Sequence, residues 1–66
     1  MGDFREFEES GINFKAFFRV VEERGVRRIC AFTYFNRNLI ESFGDDEESA
    51  YTALKGKVWQ ALNFSA

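Results

Sequence analysis

The chain has 66 residues, a formal net charge of −2, no histidine and one cysteine, Cys30. A chain this short forms one small domain, 1–66, and buries only about 60% of its unfolded surface. Without His or a second Cys, a zinc site is disfavoured and an internal disulfide is excluded. No apolar run reaches the roughly 18–20 residues of a membrane span, and no secretory signal is visible, so we expect a cytoplasmic protein.

Phenylalanine is unusually frequent, with nine residues in this short chain. One helix cannot cover that many rings, and large exposed apolar patches usually mark a contact surface. We therefore expect a homo-oligomer in which a second copy supplies the missing buried surface.

Charge is segregated along the sequence. The charged side chains of residues 11–40 are mostly basic, whereas those of 1–10 and 41–48 are mostly acidic. This separation is compatible with nucleic-acid contact. It also fits internal ion pairs between a basic sheet and acidic turns, which we favour.

The first segment, 1–11, holds Phe4 and Phe7 without a clean period. Their spacing fits a short helical turn or an irregular arm, and Ser10-Gly11 ends it as a turn signal. We expect a flexible or partner-dependent arm here.

The next segment, 12–24, supports two structures. Its apolar residues alternate as in a half-buried strand, at Ile12, Phe14, Ala16, Phe18 and Val20. A second set fits one face of a helix, at Phe14, Phe17, Phe18 and Val21. We favour the strand, because the segment that follows needs an adjacent pairing partner.

Residues 26–36 form the most strongly predicted strand, because they are rich in β-branched and aromatic side chains. A turn over 22–25, with Gly25 left-handed, joins it to the preceding strand. A three-residue loop pairs Glu22 with Val26 and turns Cys30, Phe32 and Tyr34 toward the helix. A two-residue loop sends Ile29, Ala31 and Phe35 toward the helix instead.

Two elements complete the chain. Asn36-Arg37-Asn38 predicts a turn, after which 39–43 return as a short third strand. The alternative is a single helical turn over 38–43. Gly44 then bends the chain into the best-supported helix, where Asp45 with Glu48 matches a capping box and Asp46 is the alternative cap. The buried stripe of this helix is predicted to contain Ala50, Tyr51, Leu54, Val58, Ala61 and Leu62.

Catalytic chemistry is disfavoured. The absence of His removes the commonest general base, and no Gly-rich loop followed by Lys-Ser or Lys-Thr is present to hold a phosphate. The acids at 45–48 lack the spaced ligands of a calcium loop and suit the positive end of a helix dipole. We therefore predict no enzymatic activity, no cofactor and no metal.

One face of the predicted sheet combines charge with aromatic rings. The candidate partner-binding residues are Lys15, Phe17, Arg19 and Arg27, with Phe32 and Tyr34 as further candidates. Single-stranded nucleic acid is held by such a combination, because cations follow phosphates and rings stack on bases. A second subunit that covers the rings is the interpretation we favour.

The residues Gly44-Asp45-Asp46-Glu47-Glu48-Ser49-Ala50 resemble the start of the helix in the HicB antitoxin family. That family has a strand-strand-strand-helix unit related to a partial double-stranded-RNA-binding fold. The resemblance covers about residues 12–63. It implies an oligomeric, non-enzymatic protein that contacts a partner protein, sometimes with DNA binding from an added segment.

The sequence thus predicts an α+β fold, an antiparallel β-hairpin or three-stranded meander packed against one C-terminal helix. The predicted function is protein–protein interaction by a small homo-oligomer, antitoxin-like or a mobile-element regulator. The alternative is an RNA- or single-stranded nucleic-acid-binding module that uses the basic and aromatic face.

Overall fold

A computed structural model describes residues 4–64 of the chain, which form four strands and one helix. The strands are β1 (Phe4–Glu9), β2 (Ile12–Glu23), β3 (Val26–Phe35) and β4 (Asn38–Gly44), and the helix is α1 (Glu47–Phe64). One antiparallel sheet, in the order β1-β2-β3-β4, packs against the helix. The α+β class is confirmed, with one strand more than predicted.

The additional strand is β1, and it corrects the expectation of an arm over 1–11. Phe7 lies opposite Phe14 and Phe4 lies opposite Phe17, so this segment is the paired edge of the sheet. Its charged residues alternate onto both faces, which hides the two-residue period of a half-buried strand. Residues 1–3 of the predicted arm lie outside the described residues.

The other predicted strands are confirmed, and the two helical alternatives are wrong. Residues 12–24 correspond to β2, 26–36 to β3 and 39–43 to β4. The ambiguous segment is a strand, as the need of β3 for an adjacent pairing partner predicts, and β2 lies between β1 and β3 and pairs with both.

Each connection between strands is a two-residue turn with both residues at positive φ, at Ser10-Gly11, Arg24-Gly25 and Asn36-Arg37. These angles are those of type I′ turns, whose twist matches that of the flanking strands. Glu23 therefore pairs with Val26. The three-residue register is wrong, and the two-residue alternative, with Ile29, Ala31 and Phe35 on the helix side, is correct.

The core lies between the sheet and α1, and we call this side of the sheet the inner face. Its buried cluster comprises Phe14, Ala16, Ala31, Ala50, Tyr51, Leu54 and Val58. Ala16 and Ala31 are completely buried, because small side chains at the sheet centre let the helix approach closely. Around them, the ring of Tyr51 meets Phe7 edge-on at 5.8 Å. The predicted helix stripe is confirmed at Ala50, Tyr51, Leu54 and Val58, and Ala61 and Leu62 are half-buried.

The start of α1 is fixed by Asp46. Its Oδ1 accepts a hydrogen bond of 2.8 Å from the backbone N–H of Ser49, and this bond lowers the pKa of the Asp46 carboxyl. Asp46, rather than Asp45, is therefore the cap. Glu48 instead accepts a 3.0 Å bond from Arg5 on β1, which raises the pKa of that guanidinium and ties the helix start to the sheet edge.

Candidate interaction surface

The side of the sheet that faces away from the helix is its outer face. Strand alternation and the observed registers define it. Its side chains are Phe4, Glu6 and Glu8 on β1, Asn13, Lys15, Phe17, Arg19, Val21 and Glu23 on β2, Val26, Arg28, Cys30, Phe32 and Tyr34 on β3, and Leu39, Glu41 and Phe43 on β4. No element among residues 4–64 packs over this face.

A row of aromatic rings crosses the outer face from β1 to β3. The centroid of Phe17 lies 5.8 Å from that of Phe4 and 5.7 Å from that of Phe32. Phe32 in turn meets Tyr34 edge-on at 6.3 Å. Phe4 and Tyr34 at the two ends are 42% and 60% exposed, so the row offers continuous aromatic surface to a partner.

Cationic side chains lie over these rings. Lys15 Nζ is 5.0 Å from the centroid of Phe4, and the Arg19 guanidinium carbon is 5.3 Å from that of Phe32. Arg28 lies in the same way over Phe43 on β4, at 5.7 Å. Rings and cations attract each other in this geometry, so the charges are held within the aromatic surface rather than at its margin.

Glu41 links β4 to the two central strands of this face. Its Oε2 accepts from Arg19 Nη2 at 3.4 Å and from Cys30 Sγ at 3.7 Å. Cys30 has no exposed surface, and burial raises the pKa of its thiol. The cysteine is thus a covered part of the face, and Arg19 is partly neutralised.

The outer face as a whole is not basic. It carries Lys15, Arg19 and Arg28 against Glu6, Glu8, Glu23 and Glu41, so acids outnumber bases by one. Glu6 lies directly opposite Lys15 in the β1–β2 register. The three bases lie on the central strands β2 and β3, and three of the four acids lie on the flanking strands β1 and β4. The face therefore presents both signs of charge.

The structure brings together three of the four predicted contact residues. Lys15, Phe17 and Arg19 lie on the outer face, as both predicted registers require. Arg27 does not, because the two-residue turn places it on the inner face opposite Glu22, and Arg28 takes its place. Sequence reasoning missed Phe4 and Phe43, which become visible only once β1 and the register of β3 are known.

The described residues also form a groove outside the outer face. A groove of about 300 Å³ lies beside the end of α1, lined by Phe35, Ile40, Ala61 and Phe64 among others. Within residues 4–64, no group of three or more His, Cys, Asp or Glu side chains is placed to hold a metal ion. The single helix of this part of the chain is not apolar enough over its length to cross a membrane.

No protein-family model, curated protein or solved structure matches this chain.

Proposed function

We propose that the protein is a small non-enzymatic binding protein that associates with a second copy of itself through the outer face. The observation that carries this proposal is the aromatic row from Phe4 to Tyr34, open to solvent on an uncovered sheet face. Contiguous apolar surface of this kind is characteristic of contact sites in soluble proteins.

The size of the face is sufficient for a specific contact. Four strands at about 4.8 Å spacing, with about 3.3 Å per residue over about eight residues, give roughly 500 Å² per copy. Two such faces bury about 1,000 Å² in total, which is at the lower limit of specific protein–protein interfaces.

Its charges favour a second copy as the partner. In a contact with two-fold symmetry the same patch meets itself, so a face of one charge sign is repelled. Here Lys15, Arg19 and Arg28 on the two central strands are flanked by acids on β1 and β4. Each copy therefore offers both signs to the other, around a shared aromatic centre.

Single-stranded nucleic acid is the second candidate partner, because the rings of Phe17 and Phe32 are flanked by Lys15 and Arg19 as in stacking platforms. The four acids of the outer face oppose it, since phosphate contacts dominate such binding. Self-association is therefore the function that the face supports better.

The test is sedimentation or light scattering at micromolar concentration. The wild-type chain is expected at a mass of at least twice 7.7 kDa. Phe17→Asp is expected to lower that mass, because it places a charge in the aromatic row. Trp59→Asp is the matched control: Trp59 is 46% exposed on the helix, away from the face, and its removal should leave the mass unchanged. Far-UV circular dichroism confirms that each variant folds.

A monomeric wild-type chain would overturn the proposal, as would a Phe17→Asp variant with undiminished mass. Titration with mixed single-stranded oligonucleotides over a salt series tests nucleic acid as the partner. Binding at low salt that weakens as salt rises, and that Phe17→Asp removes, would favour nucleic acid.

A further inference from the structure

The β2 strand is longer than the strand beside it. β1 pairs with it only from Ile12 to Phe17, whereas β2 continues to Glu23. Among residues 4–64, no strand pairs with this side of β2 beyond Phe17. Unpaired strand edges of this kind are templates for pairing with another chain.

The two-residue turns determine which backbone groups face this edge. Residues that flank such a turn form a hydrogen-bonded pair, and the pairs then alternate along the ladder. By this rule the backbone N–H and C=O groups of Glu23 point toward β3. The backbone N–H and C=O groups of Phe18, Val20 and Glu22 therefore point toward the open side of β2. Val20 is 58% exposed, which shows that nothing in the described part of the chain covers this position.

The other described edges differ from this one. On β4, the carbonyl of Glu41 points away from β3 and accepts a 3.1 Å hydrogen bond from Lys57 of the helix. On β1, the carbonyl of Glu6 accepts from the Tyr51 hydroxyl at 3.5 Å. Helix side chains thus occupy acceptors on both terminal edges, whereas no side chain bonds to the β2 edge in the described residues.

We propose that residues 19–23 of β2 pair antiparallel with the same residues of a second copy, about a two-fold axis at Val21. In this register Arg19 lies opposite Glu23 of the second copy, and the symmetry forms this ion pair twice. The two sheets then join into one, with both outer faces on the same side.

Charge selects this register over its neighbours. An axis at Arg19, Glu22 or Glu23 places like charges directly opposite each other, which is destabilising. An axis at Val20 sets Arg19 opposite Val21 and forms no ion pair. Only the axis at Val21 matches opposite charges while it pairs the outward backbone groups of Val20 and Glu22.

This contact is distinct from the face-to-face contact proposed above, since it uses backbone groups at a strand edge. It leaves the aromatic row uncovered, so both contacts can form in one assembly. Either one can fail while the other holds.

Disulfide trapping tests the register. Val21→Cys places its two Cα atoms about 4.5 Å apart at a non-hydrogen-bonded pair, within the roughly 4.4–6.8 Å that a disulfide spans. The matched control is Val20→Cys, whose Cα atoms lie about 9 Å apart in this register by strand geometry. We expect a covalent dimer from Val21→Cys under mild oxidation, and none from Val20→Cys or from the wild-type chain with its buried Cys30.

The same trapping in a Phe17→Asp background separates the two contacts, because the face contact is then removed. Persistence of the Val21→Cys dimer is expected there. Absence of that dimer, or equal cross-linking of Val20→Cys, would overturn the proposal, whatever the mass of Phe17→Asp alone shows about the face.

A charge exchange provides a second, non-covalent readout. Glu23→Arg places two arginines opposite each other at both symmetric positions, and is expected to weaken the edge contact about tenfold. Arg19→Glu acts in the same direction with two glutamates. Both variants are made in the Phe17→Asp background, because Arg19 and Glu23 also lie on the outer face. Mixed together, they restore both ion pairs, so their hetero-association should exceed either self-association. Equal association of all three combinations would contradict the proposed register.

Discussion

Gly44 lies where the first turn of α1 crosses the end of β4, and replacing it should destabilise the fold. A Cβ at this position would lie 2.5 Å from the backbone nitrogen of Ala50 and 2.9 Å from the carbonyl carbon of Ser49. Since van der Waals contacts require about 3.5–4.0 Å, the helix would have to move by roughly 1 Å. Overpacking of this kind costs about 1–3 kcal/mol, so Gly44→Ala should lower the melting temperature by about 5–20 °C.

Gly56 provides a control of the opposite sign. It lies in the middle of α1, and a Cβ there meets nothing within 4 Å. Gly56→Ala should therefore stabilise the protein by about 1 kcal/mol, through helix propensity alone.

Urea unfolding followed by far-UV circular dichroism measures both changes. All variants are compared at one protein concentration, because association shifts apparent stability. A Gly44→Ala midpoint equal to that of the wild type would refute the close approach of α1 to β4. Stabilisation by both substitutions would show that backbone propensity, rather than contact, governs the two positions.

Two further predictions concern the helix cap and the cysteine. Asp46→Ala should lower the unfolding midpoint while Asp45→Ala leaves it unchanged, because only Asp46 bonds the Ser49 amide. Hydrogen bonding lowers the pKa of Asp46 in the folded state. Its contribution to stability is therefore present above the pKa of an unfolded aspartate and is lost as pH falls through the lower folded-state pKa. The urea midpoints of wild type and Asp46→Asn should converge in strongly acidic buffer. Cys30 should resist thiol-labelling reagents in the native state, since it is buried and its pKa is raised. Glu41→Ala removes its hydrogen-bond acceptor and should speed the labelling, whereas Glu8→Ala should not; equal rates would show that Glu41 does not protect the thiol.

The sequence predicted the helix and β3 from their own residue patterns, and β2 from the need of β3 for an adjacent pairing partner. The stripe through Tyr51, Leu54 and Val58 repeats at helical spacing, and all three side chains are buried. Lys15, Phe17 and Arg19 were predicted on the outer face, because side chains alternate along a strand and Phe14 and Ala16 point inward. This holds for either length of the loop after β2.

The sequence did not decide the register of β3, because the two possible registers differ by a single residue in the turn after β2. A type I′ turn needs positive φ at both central positions, and one of them here is Arg24, at 55°. An L-residue with a Cβ pays an energetic cost in this conformation, so propensity gives no sign of it. The two-residue turn moves Arg27 to the inner face and Phe32 to the outer.

β1 was missed because its inner face is not apolar. Arg5 and Glu9 share that face with Phe7. The guanidinium carbon of Arg5 lies 3.8 Å from the centroid of the Tyr51 ring and its charge meets Glu48. A cation held by a ring and a carboxylate occupies a position where the strand pattern requires a hydrophobic residue.

The two-residue turns also bear on the order in which the chain folds. Each strand pairs with its neighbour in the sequence, so no sheet pairing requires the closure of a long loop. Loop closure becomes entropically more costly with length, and chains with local pairings fold fast. The contacts of α1 with β1 are far from local: Arg5 and Glu48 are separated by 43 positions. We therefore expect the central hairpin to form early and the helix to secure β1 last. In hydrogen exchange, the amides of β1 should open first, while the centre of β3, paired on both sides from Ile29 to Phe32, is protected longest.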